Sequence, residues 1–153
     1  MKEDFKLKFG LTEGQFVGDE NILGTLDLSL ESVIPEGFNP VVEGDLHLED
    51  LISIPIGFNP IVGGYLDLGG VDFIPQGFNP TVGGDLYLNS LVNMSGNFYP
   101  TVGGDLYLES LLNIPEDFNP TVGGNLYIDS IENLPEGFDP IVGGEISIEN
   151  FNN

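Results

Sequence analysis

The 153-residue chain contains no cysteine, so it has neither a disulfide framework nor a thiolate metal site. No apolar run approaches the roughly 20 residues that a transmembrane helix needs. The first five residues, Met1 to Phe5, lack the apolar region of a secretion signal. We therefore expect a cytoplasmic protein that makes no contact with a membrane.

Basic residues are almost missing, since Lys2, Lys6 and Lys8 are the only ones apart from His47. From residue 9 to residue 153 there is no Lys or Arg, while the same stretch holds 23 of the 25 acidic residues. A field of this sign opposes direct binding of DNA or RNA and favours a basic protein as the partner. Acidity also keeps a repetitive β protein soluble, so a functional and a purely solubilising interpretation are both open.

The sequence contains a strict repeat. A phenylalanine recurs every twenty residues, at Phe38, Phe58, Phe78, Phe98, Phe118 and Phe138. A fixed period of this length is typical of a solenoid, in which each repeat forms one coil stacked on the next. The chain is 41% hydrophobic, which is enough to bury a core. The sequence predicts an all-β, single-domain solenoid of about six coils over residues 21–153.

Within one coil, Leu106 and Leu108 are two residues apart and so point to the same face of a short strand. Gly-Gly and Asn-Pro pairs are turn signals, and no segment has the apolar spacing of a helix. We predict one short parallel strand per coil and little helix. The recurring asparagines at 39, 59, 79 and 119 are expected to hydrogen-bond from coil to coil.

The two ends of the chain depart from the repeat. Residues 1–20 are interpreted as an N-terminal cap, in which Phe5, Leu7 and Phe9 alternate with lysines as a half-buried strand would. At the other end, Ile146, Ile148 and Phe151 have no comparable cover. Because an open solenoid end is also an unpaired strand edge, we expect an end-to-end homodimer through these C-terminal residues.

The segment from Leu106 to Pro115, Leu-Tyr-Leu-Glu-Ser-Leu-Leu-Asn-Ile-Pro, resembles leucine-rich repeats, especially the short bacterial kind. The longer unit Ile-Pro-Glu-Gly-Phe-Asn-Pro-Thr-Val-Gly-Gly-Asp-Leu-Tyr-Leu is similar to repeats in uncharacterised bacterial and phage proteins. The resemblance implies a solenoid that binds proteins through its exposed strand face. Where leucine-rich repeats carry Asn after the strand, this chain has apolar residues such as Leu111, so a related β-solenoid is the alternative.

Acidic residues and tyrosines alternate with the buried leucines on the outward side of the predicted strands. Tyrosines are good anchors in protein interfaces, and stacked aromatic pairs also stabilise a sheet, so both roles are open. The predicted partner-binding residues are Asp45, Asp67, Asp85, Tyr87, Asp105, Tyr107, Glu109, Tyr127 and Asp129.

The sequence offers no constellation of catalytic residues. His47 has no nucleophile or base at a recognisable spacing, and Gly103-Gly104-Asp105-Leu106 lacks the third glycine of the calcium-binding nonapeptide repeat. We therefore expect no enzymatic activity, no cofactor and no bound metal.

These observations favour a protein-binding solenoid whose acidic strand face docks a basic partner. A more specific hypothesis is that the chain is a nucleic-acid mimic that inhibits a DNA- or RNA-binding protein, as a phage antidefence protein would. It is similar in charge and shape, though not in motif, to pentapeptide-repeat inhibitors of gyrase. The alternative is a structural or adhesive repeat protein of a cell surface or virion.

Overall fold

The computed structural model describes residues 1–149, and it is the parallel β-solenoid of about six coils that the repeat predicts. Every strand pairs in parallel with the strand 20 residues away, for example Leu106 with Leu126 and Thr101 with Thr121. The predicted residue Phe151 lies outside the described part of the chain. The 20-residue period of the sequence therefore corresponds to one coil of the solenoid.

Each coil contributes two short strands, where the sequence predicts one. Sheet A has seven strands, β1 (Asn21–Ile22), β3 (Val41–Val42), β5 (Ile61–Val62), β8 (Thr81–Val82), β11 (Thr101–Val102), β13 (Thr121–Val122) and β15 (Ile141–Val142). Sheet B has seven strands, β2 (Leu26–Asp27), β4 (Leu46–His47), β6 (Leu66–Asp67), β9 (Leu86–Tyr87), β12 (Leu106–Tyr107), β14 (Leu126–Tyr127) and β16 (Ile146–Ser147). A small third sheet pairs β7 (Phe73–Ile74) with β10 (Asn93–Met94).

The extra strand follows the Asn-Pro turn and precedes the Gly-Gly turn. Each sheet A strand is only two residues long, which is too short to show an alternation of apolar and polar residues along the chain. The strand forms because its backbone pairs with the equivalent strands of the neighbouring coils. The Thr101 N–H donates to the Pro80 carbonyl at 3.2 Å, and the Gly103 N–H donates to the Val82 carbonyl at 2.8 Å. The Gly-Gly turn then directs the chain into sheet B.

The core runs along the solenoid axis and is built from the same positions in each coil. In one coil these are Val102, Leu106, Leu108, Leu111, Ile114 and Phe118, all buried. The phenylalanines from Phe38 to Phe118 form a continuous stack, with ring centroids 6.1 Å apart from Phe38 to Phe58 and 5.7 Å apart from Phe98 to Phe118. Each coil thus buries its apolar residues against its two neighbours.

The Gly-Gly turns are required by close contact between coils. A Cβ at Gly103 would lie 2.2 Å from the Gly83 carbonyl oxygen, and one at Gly104 would lie 2.1 Å from Asp85 Oδ1. No side chain fits at such distances without a shift of the backbone. The turn therefore sets the tight stacking on which both sheets depend.

The N-terminal residues are helical, so the predicted strand through Phe5, Leu7 and Phe9 is wrong. Helix α1 (Lys2–Phe9) ends at Gly10, which has a left-handed conformation with φ 65°, and helix α2 (Glu13–Val17) begins after Thr12. On a helix Phe5 and Phe9 share one side, and their rings lie 4.9 Å apart. Leu7, which a half-buried strand would have turned inward, is 80% exposed.

Both helices cover the first coil. The rings of Phe5 and Phe16 lie 5.1 Å and 5.4 Å from that of Phe38. The Asn39 N–H donates to the Phe16 carbonyl at 2.9 Å. The helices thereby continue the phenylalanine stack and occupy one end of the solenoid.

Candidate functional site

The strand face is the outward side of sheet B, and it consists of three columns of residues that repeat every coil. The first column is Thr25, Asp45, Tyr65, Asp85, Asp105, Asn125 and Glu145. The second column is Asp27, His47, Asp67, Tyr87, Tyr107, Tyr127 and Ser147. The third column is Ser29, Glu49, Gly69, Asn89, Glu109, Asp129 and Glu149. All nine predicted partner-binding residues lie in these columns, half-buried by their neighbours.

The first column is a hydrogen-bonded ladder as well as a row of charges. Asp45 Oδ1 accepts the Tyr65 N–H at 3.0 Å, and Asp85 Oδ1 accepts the Asp105 N–H at 2.7 Å. Asp105 Oδ1 accepts the Asn125 N–H at 2.7 Å. Each of these carboxylates therefore satisfies the backbone of the next coil with one oxygen, which fixes the position of its charge.

Asn125 shows that this ladder does not need a negative charge. Its Oδ1 accepts the Glu145 N–H at 2.9 Å, the same bond that the aspartates make. Asparagine has the same reach as aspartate and keeps an acceptor oxygen. An Asp-to-Asn change in this column therefore removes charge and leaves the bond in place.

The tyrosines of the second column form a stacked row. The ring centroids of Tyr87 and Tyr107, and those of Tyr107 and Tyr127, are 4.7 Å apart, with interplanar angles of 12° and 8°. The hydroxyls of Tyr87 and Tyr107 donate to Oδ2 of Asp85 and Asp105 at 3.2 Å and 3.3 Å. The three rings present a continuous aromatic surface bordered by carboxylates.

The surroundings of Tyr87 and Tyr107 favour the protonated form of each hydroxyl. Burial, with the nearby Asp105 charge as the next cause, raises the pKa of Tyr107 to about 12. Burial and the Asp85 charge also raise the pKa of Tyr87. The hydroxyls of Tyr87 and Tyr107 are therefore neutral hydrogen-bond donors, whereas the Tyr127 hydroxyl accepts from Asn125 Nδ2 at 3.2 Å.

A compact polar cluster precedes the tyrosine row. The His47 ring lies edge-on to the Tyr65 ring, with centroids 5.0 Å apart, and His47 Nε2 is 2.9 Å from the Tyr65 hydroxyl. His47 Nδ1 is 3.0 Å from Glu49 Oε1. Burial raises the pKa of Asp67, although the Gly69 N–H, which donates to its Oδ1 at 2.8 Å, opposes that shift. The cluster fills the strand face where the chain has no stacked tyrosine.

Third-column acids also have partners within the solenoid. Glu109 Oε2 accepts from Asn89 Nδ2 at 3.3 Å. Asp129 Oδ1 accepts the Ser147 hydroxyl at 2.8 Å and the Glu149 N–H at 3.2 Å. Hydrogen bonds within the solenoid thus hold these carboxylates of the strand face in defined positions.

The expected asparagine ladder is confirmed on the other side of the coil. Asn39 Oδ1 accepts the Asn59 N–H at 2.6 Å, and Asn59 Oδ1 accepts the Asn79 N–H at 2.5 Å. Asn119 Oδ1 accepts the Asp139 N–H at 2.7 Å. These asparagines have a structural role.

The lysines are confined to the cap and are paired there. Lys2 and Lys6 lie 2.5 Å and 2.8 Å from Glu13 oxygens, and Lys8 pairs with Glu31. None of the three reaches the strand face beyond the first coil. From the second coil onward, the field of the strand face is consequently unopposed by any lysine, whereas Lys8 lies near Asp27 and Ser29 of the first coil.

At the C-terminal coil, strands β15 and β16 each pair on one side only within residues 1–149. Of the predicted dimer residues, Ile146 is exposed, while Ile148 is partly buried against the core. Phe151 is outside the described residues. The two isoleucines therefore differ, and Ile146 is the more available for a contact.

Sequence reasoning missed a second surface, made by exposed apolar residues at turns. Ile56 is 86% exposed where the equivalent positions of the other coils carry Glu, Gln or Gly, and Val33 and Phe73 are exposed as well. A comparison of each position across the coils, in search of apolar residues in a polar column, would have found them.

The chain matches no family model, no curated protein and no solved structure. No helix among residues 1–149 is long and apolar enough to cross a bilayer. Within the same range, no group of three or more His, Asp or Glu side chains is arranged to hold a metal ion.

Proposed function

We propose that this protein is a non-enzymatic, protein-binding solenoid whose strand face docks a basic protein. The observation that carries the proposal is the row of Tyr87, Tyr107 and Tyr127, stacked 4.7 Å apart between columns of fixed carboxylates. Aromatic anchors supply contact area in interfaces, and the surrounding carboxylates select a partner of positive charge.

Rigidity supports this role. The ladder bonds of Asp85 and Asp105 hold their carboxylates before any partner arrives. A preformed surface loses less conformational entropy on binding than a mobile one does. The same rigidity makes a flat, regular face that suits recognition of a surface, and it offers no cleft around a substrate.

The leucine-rich-repeat resemblance agrees with this use of the strand face. That family presents the exposed side of its parallel strands to partner proteins, and here the exposed side of sheet B carries the tyrosines. We propose that the chain likewise binds a partner protein through the exposed side of a leucine-rich-repeat-like sheet, and that this side is acidic where residues of both charges would otherwise occur.

The finer proposal is that the chain mimics a nucleic acid. Twenty carboxylates lie between Asp27 and Glu149, ten of them in the columns of the strand face and ten elsewhere on the seven stacked coils. Seven strands at a spacing of about 4.8 Å span roughly 29 Å, so the chain carries one negative charge per roughly 1.4 Å of axis when all sides are counted. Duplex DNA carries one negative charge per about 1.7 Å, so the linear charge density of the solenoid is comparable to that of DNA.

A protein that grips DNA through lysines and arginines would therefore meet a similar field on this solenoid. The proposed partner is a DNA- or RNA-binding protein, which the solenoid inhibits by occupying its channel. An antidefence protein of a phage would have this action, and the site of action would be the cytoplasm.

The test combines capture and competition. The tagged chain is used to isolate a partner from host lysate, and binding of the purified partner is then measured at low and high salt. We expect duplex DNA to displace the chain and salt to slow association, since charge mainly raises the association rate. A partner that binds DNA and the solenoid simultaneously, without competition, would contradict mimicry.

A further inference from the structure

A second surface, the turn face, changes in character along the solenoid. It is formed by the six segments that precede the stacked phenylalanines, residues 32–37, 52–57, 72–77, 92–97, 112–117 and 132–137. The first three segments expose large apolar side chains, namely Val33, Ile52, Ile56 and Phe73. Among the described residues, the last three expose one, Leu112, and their carboxylates, Glu116, Asp117, Glu132 and Glu136, all lie in the fifth and sixth segments, against Glu36 and Asp72 in the first three.

A groove of about 450 Å³ lies at the apolar end of this surface, between the cap and the first two segments. Its lining is mostly apolar, from Met1, Val33, Ile34, Pro35 and Pro55, with Ser53 and Glu36 at polar positions. Lys2 also borders it, but its Nζ is 2.5 Å from a Glu13 carboxylate oxygen. The volume is within the range of pockets that hold ligands.

We propose that the groove and the acidic part of the turn face together bind one segment of a partner protein. This segment consists of an apolar anchor followed by lysines or arginines. The inference rests on the proposed function in taking the partner to be a basic protein, and it assigns to that partner a second contact distinct from the strand face.

Charge complementarity decides the occupant. A second copy of this chain, with its net charge of −22, would set acidic residues against the carboxylates of this turn face, and like charges oppose an association at this surface; the proposed end-to-end contact at the C-terminal coil is a different surface. An anionic membrane surface is opposed by the same repulsion. A basic segment is attracted instead, and the groove gives it a place for an apolar side chain beside Glu36.

The dimensions set the length of the segment. From Glu36 to Glu136 there are five coil steps, about 24 Å at the spacing of stacked strands. An extended peptide covers that distance with roughly seven residues. The anchor and the basic residues therefore belong to one segment of about ten residues.

The probes are three synthetic fluorescent peptides. The first joins Leu-Phe-Leu to eight residues that contain four lysines, the second has the lysine part alone, and the third has Leu-Phe-Leu joined to eight uncharged residues. Fluorescence anisotropy against the full chain measures their affinities. We expect the first peptide to bind at least tenfold more tightly than either of the others, because it engages the groove and the acidic track at once.

Two variants that add the same charge locate the site. Val33→Glu places a carboxylate in the groove, where Val33 is 56% exposed, and Leu23→Glu adds one at a 76% exposed leucine outside the groove. We expect Val33→Glu to abolish the advantage of the anchored peptide and Leu23→Glu to leave it unchanged. Ser53→Glu, also in the groove, replaces Val33→Glu if that variant does not fold.

Mapping by backbone amide chemical shifts separates the two proposals. Shifts at residues 33–36 and 53–56 support the groove. If the anchored peptide shifts only the tyrosine row, or gains nothing over the lysine peptide, the inference about the groove is overturned while strand-face binding stands. If no lysine-containing peptide binds at all, the proposed basic partner fails as well.

Discussion

Replacing Asp105 separates the structural role of the first column from its charge. Asp105 Oδ1 accepts the Asn125 N–H at 2.7 Å, and its Oδ2 accepts the Tyr107 hydroxyl at 3.3 Å. Asp105→Ala leaves that half-buried N–H without its acceptor, and a lost bond to a charged group costs about 1.5–3 kcal/mol. Asp105→Asn keeps an acceptor oxygen, as Asn125 does naturally.

We therefore expect Asp105→Ala to lower the free energy of unfolding by about 2 kcal/mol. Asp105→Asn should stay within about 0.5 kcal/mol of the wild type, or exceed it slightly, because it reduces self-repulsion in a chain of net charge −22. Urea denaturation followed by circular dichroism measures both. With a slope of about 2 kcal/mol/M, the Ala variant should lose about 1 M in its midpoint.

Equal free energies of unfolding for Asp105→Ala and Asp105→Asn would refute the role of the ladder bond. If Asn costs as much as Ala, the carboxylate charge matters and the bond to the next coil does not. If neither variant changes the midpoint, the short distance between Asp105 and Asn125 contributes nothing to stability.

Three further predictions concern the core, the tyrosine row and the open coil. Phe118 is buried 5.7 Å from the Phe98 ring, so Phe118→Ala should cost about 3–5 kcal/mol; an unchanged denaturation midpoint would contradict the core. Burial raises the pKa of Tyr107 to about 12, so its stabilising effect is complete below pH of about 10 and is lost as pH rises through about 12. Absorbance titration of wild type against Tyr107→Phe should show a missing component near that pH, and a component at about 10 would contradict the burial. We propose a homodimer through the C-terminal coil, so sedimentation at high micromolar concentration should show a dimer that Ile146→Lys disrupts, since Ile146 is exposed; a wild-type monomer would refute it.

The repeat predicted the solenoid because stacking requires the same residue at the same place in every coil. Phe118 and Leu106 were correctly expected in the core from their recurrence alone. The second strand of each coil was not predictable from alternation, since Thr101 and Val102 form a strand only by pairing with neighbouring coils. Pairing between distant residues is the information that a local pattern lacks.

The N-terminal error has a similar cause. Phe5, Leu7 and Phe9 fit a period of two, while Phe5 and Phe9 alone fit a helical period. The stop at Gly10 and the acidic first turn favour the helix. Packing of Phe5 on Phe38 then leaves Leu7 outside.

The strand face could be located from the sequence, but its chemistry could not be read in full. Asp45, Asp85 and Asp105 were interpreted as charges for a partner, and each also bonds to the next coil. The same reasoning that predicted the asparagine ladder applies to aspartate, whose oxygens accept the same bonds. The apolar groove was missed because it combines the cap with two separate segments.

The most direct test of the central claim compares two variants of equal charge on a purified partner. The strand-face variant carries Asp85→Asn, Asp105→Asn, Glu109→Gln and Asp129→Asn. The control carries Asp19→Asn, Glu20→Gln, Glu43→Gln and Asp139→Asn, which are exposed acids outside both the strand face and the turn face. Each loses four charges, and association rates are measured against salt with duplex DNA as competitor. We expect the strand-face variant to associate markedly more slowly than the control and to compete poorly with DNA. Partner binding that is unchanged in the strand-face variant would contradict it, and the acidity would then serve solubility alone.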